Sequence, residues 1–202
     1  MPRKERDMAK QPRQTDGRLL PHQDWEGDDS TPGAGGKMVT CTDTSAGRAL
    51  SYATNGRKDL DGKVIRAAVH PHDVNGLNLS QAKRAIESLT NTTLVIPQGW
   101  DWDDLFAHLK AKKGAVVQGW YSAIPRSYRF QSGVGAFGHA IWVSHYSPTS
   151  GMRVWDALDA NLTHHGQWVP AKHIRAFAED FARREGQSSL FVGYVPLGPL
   201  VV

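Results

Sequence analysis

The stretch Gly138-His139-Ala140-Ile141-Trp142-Val143-Ser144-His145-Tyr146-Ser147-Pro148-Thr149-Ser150-Gly151-Met152-Arg153-Val154-Trp155-Asp156-Ala157 reads as two β-strands joined by a turn. In the first, His139 to Tyr146, Ile141 and Val143 alternate with Trp142 and Ser144, the period that sends successive side chains to opposite faces of a sheet. Ser147 to Gly151 supplies the Ser, Pro and Gly of a turn, and Met152 to Ala157 runs back as the second strand. Folding the hairpin brings Asp156 beside His139. A carboxylate there fixes the tautomer of an imidazole and stabilises its protonated form. The small Gly138 lets backbone or substrate approach closely.

Outward from this hairpin the pattern divides the chain in two. Ala115 to Gln118 is a buried strand, Gln167 to Val169 a short one, and Ser189 to Val195 closes the sheet. Pro170 suits the first turn of a helix that runs to about Arg184, with Ile174, Phe177, Ala178 and Phe181 inward. Before residue 115 the signals are helical. Thr42-Asp43-Thr44-Ser45 caps a helix that continues through Ala53 and ends at Asn55-Gly56. Asp61 to Val69 forms a short helix. Asn78 or Ser80 opens another with Ala82, Ile86 and Leu89 on one face. Asp101 to Lys112 carries a stripe of Trp102, Leu105, Phe106 and Leu109. Helices first and an antiparallel sheet second make an α+β fold.

Cys41 is the single cysteine, so the fold contains no internal disulfide and no multi-cysteine zinc site. A lone cysteine is most often a small buried apolar group. This one directly precedes the first helix, where unsatisfied N–H groups and the positive end of the macrodipole favour a thiolate and can hold an oxyanion. Cys41, His139 and Asp156 thus form a candidate nucleophile, base and orienting carboxylate.

The blocks Val39-Thr40-Cys41-Thr42, Asn78-Leu79-Ser80-Gln81-Ala82, Gly114-Ala115-Val116-Val117-Gln118-Gly119, Gly138-His139-Ala140-Ile141-Trp142-Val143 and Val154-Trp155-Asp156-Ala157 resemble, in order and spacing, papain-like, C39-like cysteine peptidase domains. They look most like small peptidase-like proteins of actinobacterial tailed bacteriophages. The resemblance covers roughly residues 38 to 196. It implies a papain-like fold with Cys41 as nucleophile, His139 as base and Asp156 as third member, and no cofactor or metal. It further implies a peptide or peptidoglycan cross-bridge as substrate, and a place in the virion or the host cytoplasm. Three positions depart from the family pattern. Thr42 stands where Gly usually follows the Cys, Ala157 where Pro usually follows the Asp, and Gly35 at the upstream position of a Gln that donates to the oxyanion. Gln23, Gln118, Thr42 and Trp120 are the candidates for oxyanion or substrate contacts. Losing an oxyanion donor costs on the order of 10²–10³ in rate, so a structural virion protein of the tail or connector, retaining the fold with weak or no catalysis, is the rival reading. The His139 to Val143 strand with its hairpin also resembles transglutaminase-like and amidase domains, whose chemistry is closely related.

Residues 1–37 form a segment apart from the domain at 38–202. They are polar and highly charged, with Gly27 to Gly36 rich in Gly and small polar residues, and only Leu19, Leu20 and Trp25 offer large apolar surface. Such a segment is flexible alone and is ordered by a partner, here other virion proteins. No apolar h-region follows the basic start, so no secretory signal is expected. No apolar run reaches the ~18 residues of a membrane span. The net charge of +4 is too small to argue for nucleic acid. His70-Pro71-His72 and His164-His165 lack the spacing and carboxylate of a zinc motif and read as loop histidines. Trp100, Trp102, Trp120 and Tyr121 are read together as an aromatic cluster, of the core or of a cleft wall. Gly133 to Gly138 precedes a strand rather than a helix, so it reads as a mobile lip beside His139 and not as a phosphate loop.

Overall fold

A computed structural model describes residues 41–58, 60–69, 76–129, 137–158 and 166–198. Five α-helices and five strands follow in the order α1 (Cys41–Ala53), α2 (Gly62–Ala67), α3 (Leu79–Leu89), α4 (Trp102–Lys110), β1 (Ala115–Trp120), β2 (Gly138–Ser147), β3 (Gly151–Asp156), β4 (Gln167–Val169), α5 (Ala171–Arg184) and β5 (Val192–Gly193). The strands make one sheet in the order β4-β3-β2-β1-β5, antiparallel at every pairing. Four helices precede the sheet and α5 falls between β4 and β5, as the sequence pattern predicts, and the fold is α+β.

The sheet has a core on each face because the strands are apolar on both sides. Val116, Ala140, Trp142 and Trp155 pack with α1, α2 and α3. Val117, Ile141, Val143 and Val154, one residue out of phase, pack with α4 and α5. Trp142, Leu50, Tyr52, Leu105, Leu109 and Phe177 are fully buried. Each such side chain contributes about 1.5–3 kcal/mol by leaving water.

All 13 residues of α1 are buried. Small residues at its contacts allow this: a Cβ on Gly47 of α1 would lie 2.3 Å from the Leu60 carbonyl oxygen, and one on Gly62 of α2 would lie 2.6 Å from Thr44 Oγ1. The capping residues expected at Thr42 to Ser45 lie inside the helix, which starts earlier. Asp43 and Ser45 among them have tertiary partners instead. Asp43 pairs with Arg66 at 3.2 Å, and Ser45 Oγ donates to the Ala140 carbonyl at 3.2 Å. The helix ends as read, with Asn55 and Gly56 both at positive φ.

The two following caps are built from the residues the sequence offers. Asn78 accepts from Gln81 N at 2.9 Å while Gln81 Oε1 accepts from Asn78 N at 2.8 Å, closing a capping box on α3. Asp101 does the same for α4 with Asp103 and Asp104. Losing either cap costs about 1 kcal/mol.

The closing strand is shorter than expected. Only Val192 and Gly193 pair with β1, and Tyr194 forms a separate bridge with Val95. Phe191 keeps one bond to β1, its carbonyl accepting from Gln118 N at 3.0 Å, while Leu190 N donates to the Trp100 carbonyl instead. Two 3-10 turns, Tyr121–Ala123 and Arg126–Tyr128, follow β1 where no element was read. The segment 1–37, the lip residues 133–136, His70 to His72, and His164-His165 lie outside the described residues.

Candidate active site

The site is assembled where α1, β1 and β2 meet. Cys41 stands at the start of α1 and is 8% exposed. His139 is the second residue of β2 and is paired in register with Gly119, next to the end of the β1 ladder. Asp156 is the last residue of β3, in register with Ile141, so it lies diagonally across from His139 on the neighbouring strand. Hairpin pairing therefore brings the two side chains together: His139 Nε2 donates to Asp156 Oδ1 at 2.6 Å, and both side chains are fully buried. The same carboxylate oxygen accepts from Leu158 N at 2.9 Å, which fixes its orientation.

With Nε2 committed to Asp156, the other ring nitrogen, Nδ1, is buried and makes no hydrogen bond of normal geometry. Cys41 lies close enough to act on the ring. Burial alone lowers the pKa of His139. The charges of Asp156 and then Cys41, reinforced by hydrogen bonding, outweigh it and raise the pKa well above 6.5. Two aromatic edges hold the ring in place. Tyr121 meets it at 5.0 Å and 71°, and Phe137 at 5.7 Å and 76°. The sequence reading grouped Tyr121 with three tryptophans and singled out Phe137 not at all. The signal available was the strand itself, since Tyr121 N continues the ladder to Phe137 O at 2.9 Å.

Cys41 and His139 open into one cavity of about 530 Å³. Gln118 and Thr42 line it too, and Gln118 Nε2 donates to Thr42 Oγ1 at 3.3 Å. One wall is Gly76 to Ser80 with Ile96, Pro97 and Gln98. The other is Phe181 and Glu185 with residues of the segment 187–191. Asp156 lies behind His139 and does not reach the cavity surface. Of the remaining sequence candidates, Gln23 is outside the described residues. Trp120 is not among the lining residues; its ring lies under the Arg184 guanidinium at 4.4 Å.

The aromatic cluster of the sequence reading disperses in space. Trp100 stacks on Tyr194 at 5.4 Å and touches His108, while Trp102 donates to Glu179 and packs beside Phe106. His108, buried and donating to the Gly114 carbonyl at 3.0 Å, has its pKa lowered chiefly by burial.

A crystal structure of a protein from Bacillus anthracis described as a C39-like peptidase superposes on this chain with a TM-score of 0.55 at 14% identity, over 85% of this chain and 94% of that one. The two share a fold: helices followed by an antiparallel five-stranded sheet, as in C39-like peptidases. No protein-family model matches the chain. No curated protein matches it by sequence. Among the described residues no helix is long and apolar enough to cross a membrane.

Proposed function

We propose that this chain is a cysteine hydrolase of peptide or related amide bonds, with Cys41 as nucleophile, His139 as general base and acid, and Asp156 as the carboxylate that orients the imidazole. The observation that carries the reading is the state of the imidazole. Nε2 is held by Asp156 at 2.6 Å, Nδ1 is buried with no hydrogen bond of normal geometry, Cys41 is near enough for its charge to act on the ring, and the ring shares a cavity with this only cysteine of the chain. The raised pKa of His139 supports it, because an imidazolium is the counter-charge a thiolate requires.

In this mechanism the Cys41 proton moves to His139 Nδ1, and Sγ attacks the scissile carbonyl carbon to form the C–S bond. The carbonyl oxygen becomes an oxyanion, which accepts from Gln118 Nε2 and from N–H groups at the start of α1. As the C–N bond breaks, His139 returns the proton to the leaving amine. A water then attacks the thioester, giving one proton to His139, and the carboxylic acid leaves as Cys41 is restored. In this mechanism Gln118, on β1, takes the donor role that the C39-like pattern gives to a Gln upstream of the cysteine.

The resemblance of the sequence blocks to small proteins of actinobacterial tailed phages adds a finer proposal. The substrate is then a cell-wall cross-bridge peptide or a virion protein, and residues 1–37 engage other virion components. The test of the hydrolase reading is cleavage of a mixed peptide pool followed by mass spectrometry, in wild type and in Cys41→Ala. New termini in wild type alone support it, and equal cleavage in both refutes it.

A further inference from the structure

The chemistry of the cavity restricts what can lie beside Cys41. Its apolar lining comes from Leu77, Leu79 and Ile96 on one wall and Phe181, Leu190 and Phe191 on the other. Within that lining Glu185 is the one residue with a full charge independent of the proposed catalytic set. It is the C-cap of α5, and the cavity therefore faces the carbonyl end of that helix, which carries partial negative charge.

Neighbouring cations do not neutralise this acid. Arg183 and Arg184 both pair with Asp180, and the Arg184 guanidinium also covers Trp120 at 4.4 Å. Among the described residues no cation pairs with Glu185. It is exposed, so its charge stands at the cavity rim without cost and is available to a ligand.

We infer that the cavity selects peptides carrying a cationic side chain, a primary amine such as that of Lys or of a diamino acid, which Glu185 receives while an apolar neighbouring residue packs on Phe181 and Phe191. This rests on the proposed hydrolase and names its substrate class. An acidic substrate is disfavoured by the same charge, and a wholly apolar one leaves the carboxylate without a partner.

The test separates binding from chemistry. Acetylated pentapeptide amides of Ala and Leu are made in which each position in turn is Lys, norleucine or Glu. Norleucine keeps the methylene chain of Lys and lacks only its ammonium. Affinities are measured by calorimetry on the full chain carrying Cys41→Ala, so that no turnover intervenes. At one position Lys binds about 3- to 10-fold tighter than norleucine, and Glu binds weakest. The preference shrinks in about 0.5 M salt. It vanishes when Glu185→Gln is added and reverses with Glu185→Lys, while circular dichroism of these exposed-site variants is unchanged. No Lys preference at any position, or one that survives Glu185→Gln, overturns the inference. Alkylation of Cys41 with iodoacetamide, compared with His139→Ala, reports separately on the catalytic pair. A failed Lys preference with His139-dependent alkylation intact sinks the substrate class alone. Alkylation indifferent to His139 sinks the hydrolase reading and, with it, this one.

Discussion

Gly119→Ala adds one methyl group at the point where the sheet, α5 and the site converge. Gly119 is buried in β1, in register with His139. Its φ is not in the left-handed region, so available space alone decides the outcome. A Cβ there would lie 2.1 Å from Phe177 Cδ1 and 2.3 Å from both Cε1 and Cγ. Carbon atoms in comfortable contact are about 3.5–4.0 Å apart, so the ring must retreat by about 1.5 Å. Phe177 is fully buried among Tyr121, Ile124 and Ile174 and cannot simply rotate out. The helix that carries it must move. Overpacking of this kind costs about 1–3 kcal/mol. At about 2–4 °C per kcal/mol for a protein of this size, the Tm falls by roughly 2–12 °C. Phe177→Leu also destabilises by removing ring volume, but in the double variant the new methyl occupies part of the space released. The double variant should therefore be more stable than the sum of the single effects by about 0.5 kcal/mol or more. Thermal melts of the four proteins by calorimetry decide the matter. Gly119→Ala melting within about 1 °C of wild type, or strict additivity in the cycle, refutes the claim that Phe177 lies on Gly119.

Four further outcomes follow from the site. The rate of Cys41 alkylation by iodoacetamide below pH 7 should fall by about 10²-fold or more in His139→Ala, and unchanged rates would break the proposed pairing. The pKa of His139 is raised in the folded state, so the protonated ring stabilises the fold below its ordinary 6.5 and loses that contribution as pH rises through the raised value. Urea denaturation of wild type and Asp156→Asn should therefore differ most at about pH 5–6 and converge at alkaline pH; a gap that widens with pH contradicts the assignment. Gln118→Ala should lower kcat by about 10²–10³ with little change in KM, because the oxyanion contact exists only in the transition state. Thr42→Ser should retain that contact and Thr42→Val should not, and equal activity in the two variants would remove Thr42 from the positioning role.

The hairpin was legible because two apolar runs flank a turn marked by Pro148 and Gly151, the first of them with Ile141 and Val143 alternating with Trp142 and Ser144. Residues at its ends, His139 and Asp156, then had to meet. The helix starts at Asn78 and Asp101 were legible for a similar local reason, since capping chemistry operates within three residues. Thr42 to Ser45 have the composition of a cap yet lie within α1. Thr42 accepts from Gln118, Asp43 pairs with Arg66 and Ser45 donates to Ala140, partners that no local pattern reveals. The aromatic grouping failed on the same ground. Trp120 and Tyr121 are adjacent in sequence, but at the end of a strand their side chains diverge, one under Arg184 and the other against His139. The closing strand was read too long because Ser189 and Leu190 look like strand residues, whereas Leu190 N turns to the Trp100 carbonyl and both residues line the cavity.

Thr42 and Gln118 are physically coupled. A glycine at position 42 would offer Gln118 no side-chain acceptor, and a buried amide donor left without a partner costs about 1–3 kcal/mol. With threonine there, Gln118 Nε2 has Thr42 Oγ1 at 3.3 Å, and only one of its two hydrogens is used. The second hydrogen is left for an oxygen in the cavity. Placing the donor on β1 has a further consequence. An upstream donor belongs to a segment that must be fixed separately, while Gln118 is held by the ladder through Ala140 on one side and Phe191 on the other. The proposed oxyanion donor and the proposed base therefore sit on adjacent, paired strands, and any shift between β1 and β2 disturbs both at once. That is why a steric insult at Gly119, one residue from Gln118 and directly opposite His139, tests the integrity of the site as well as the packing of α5.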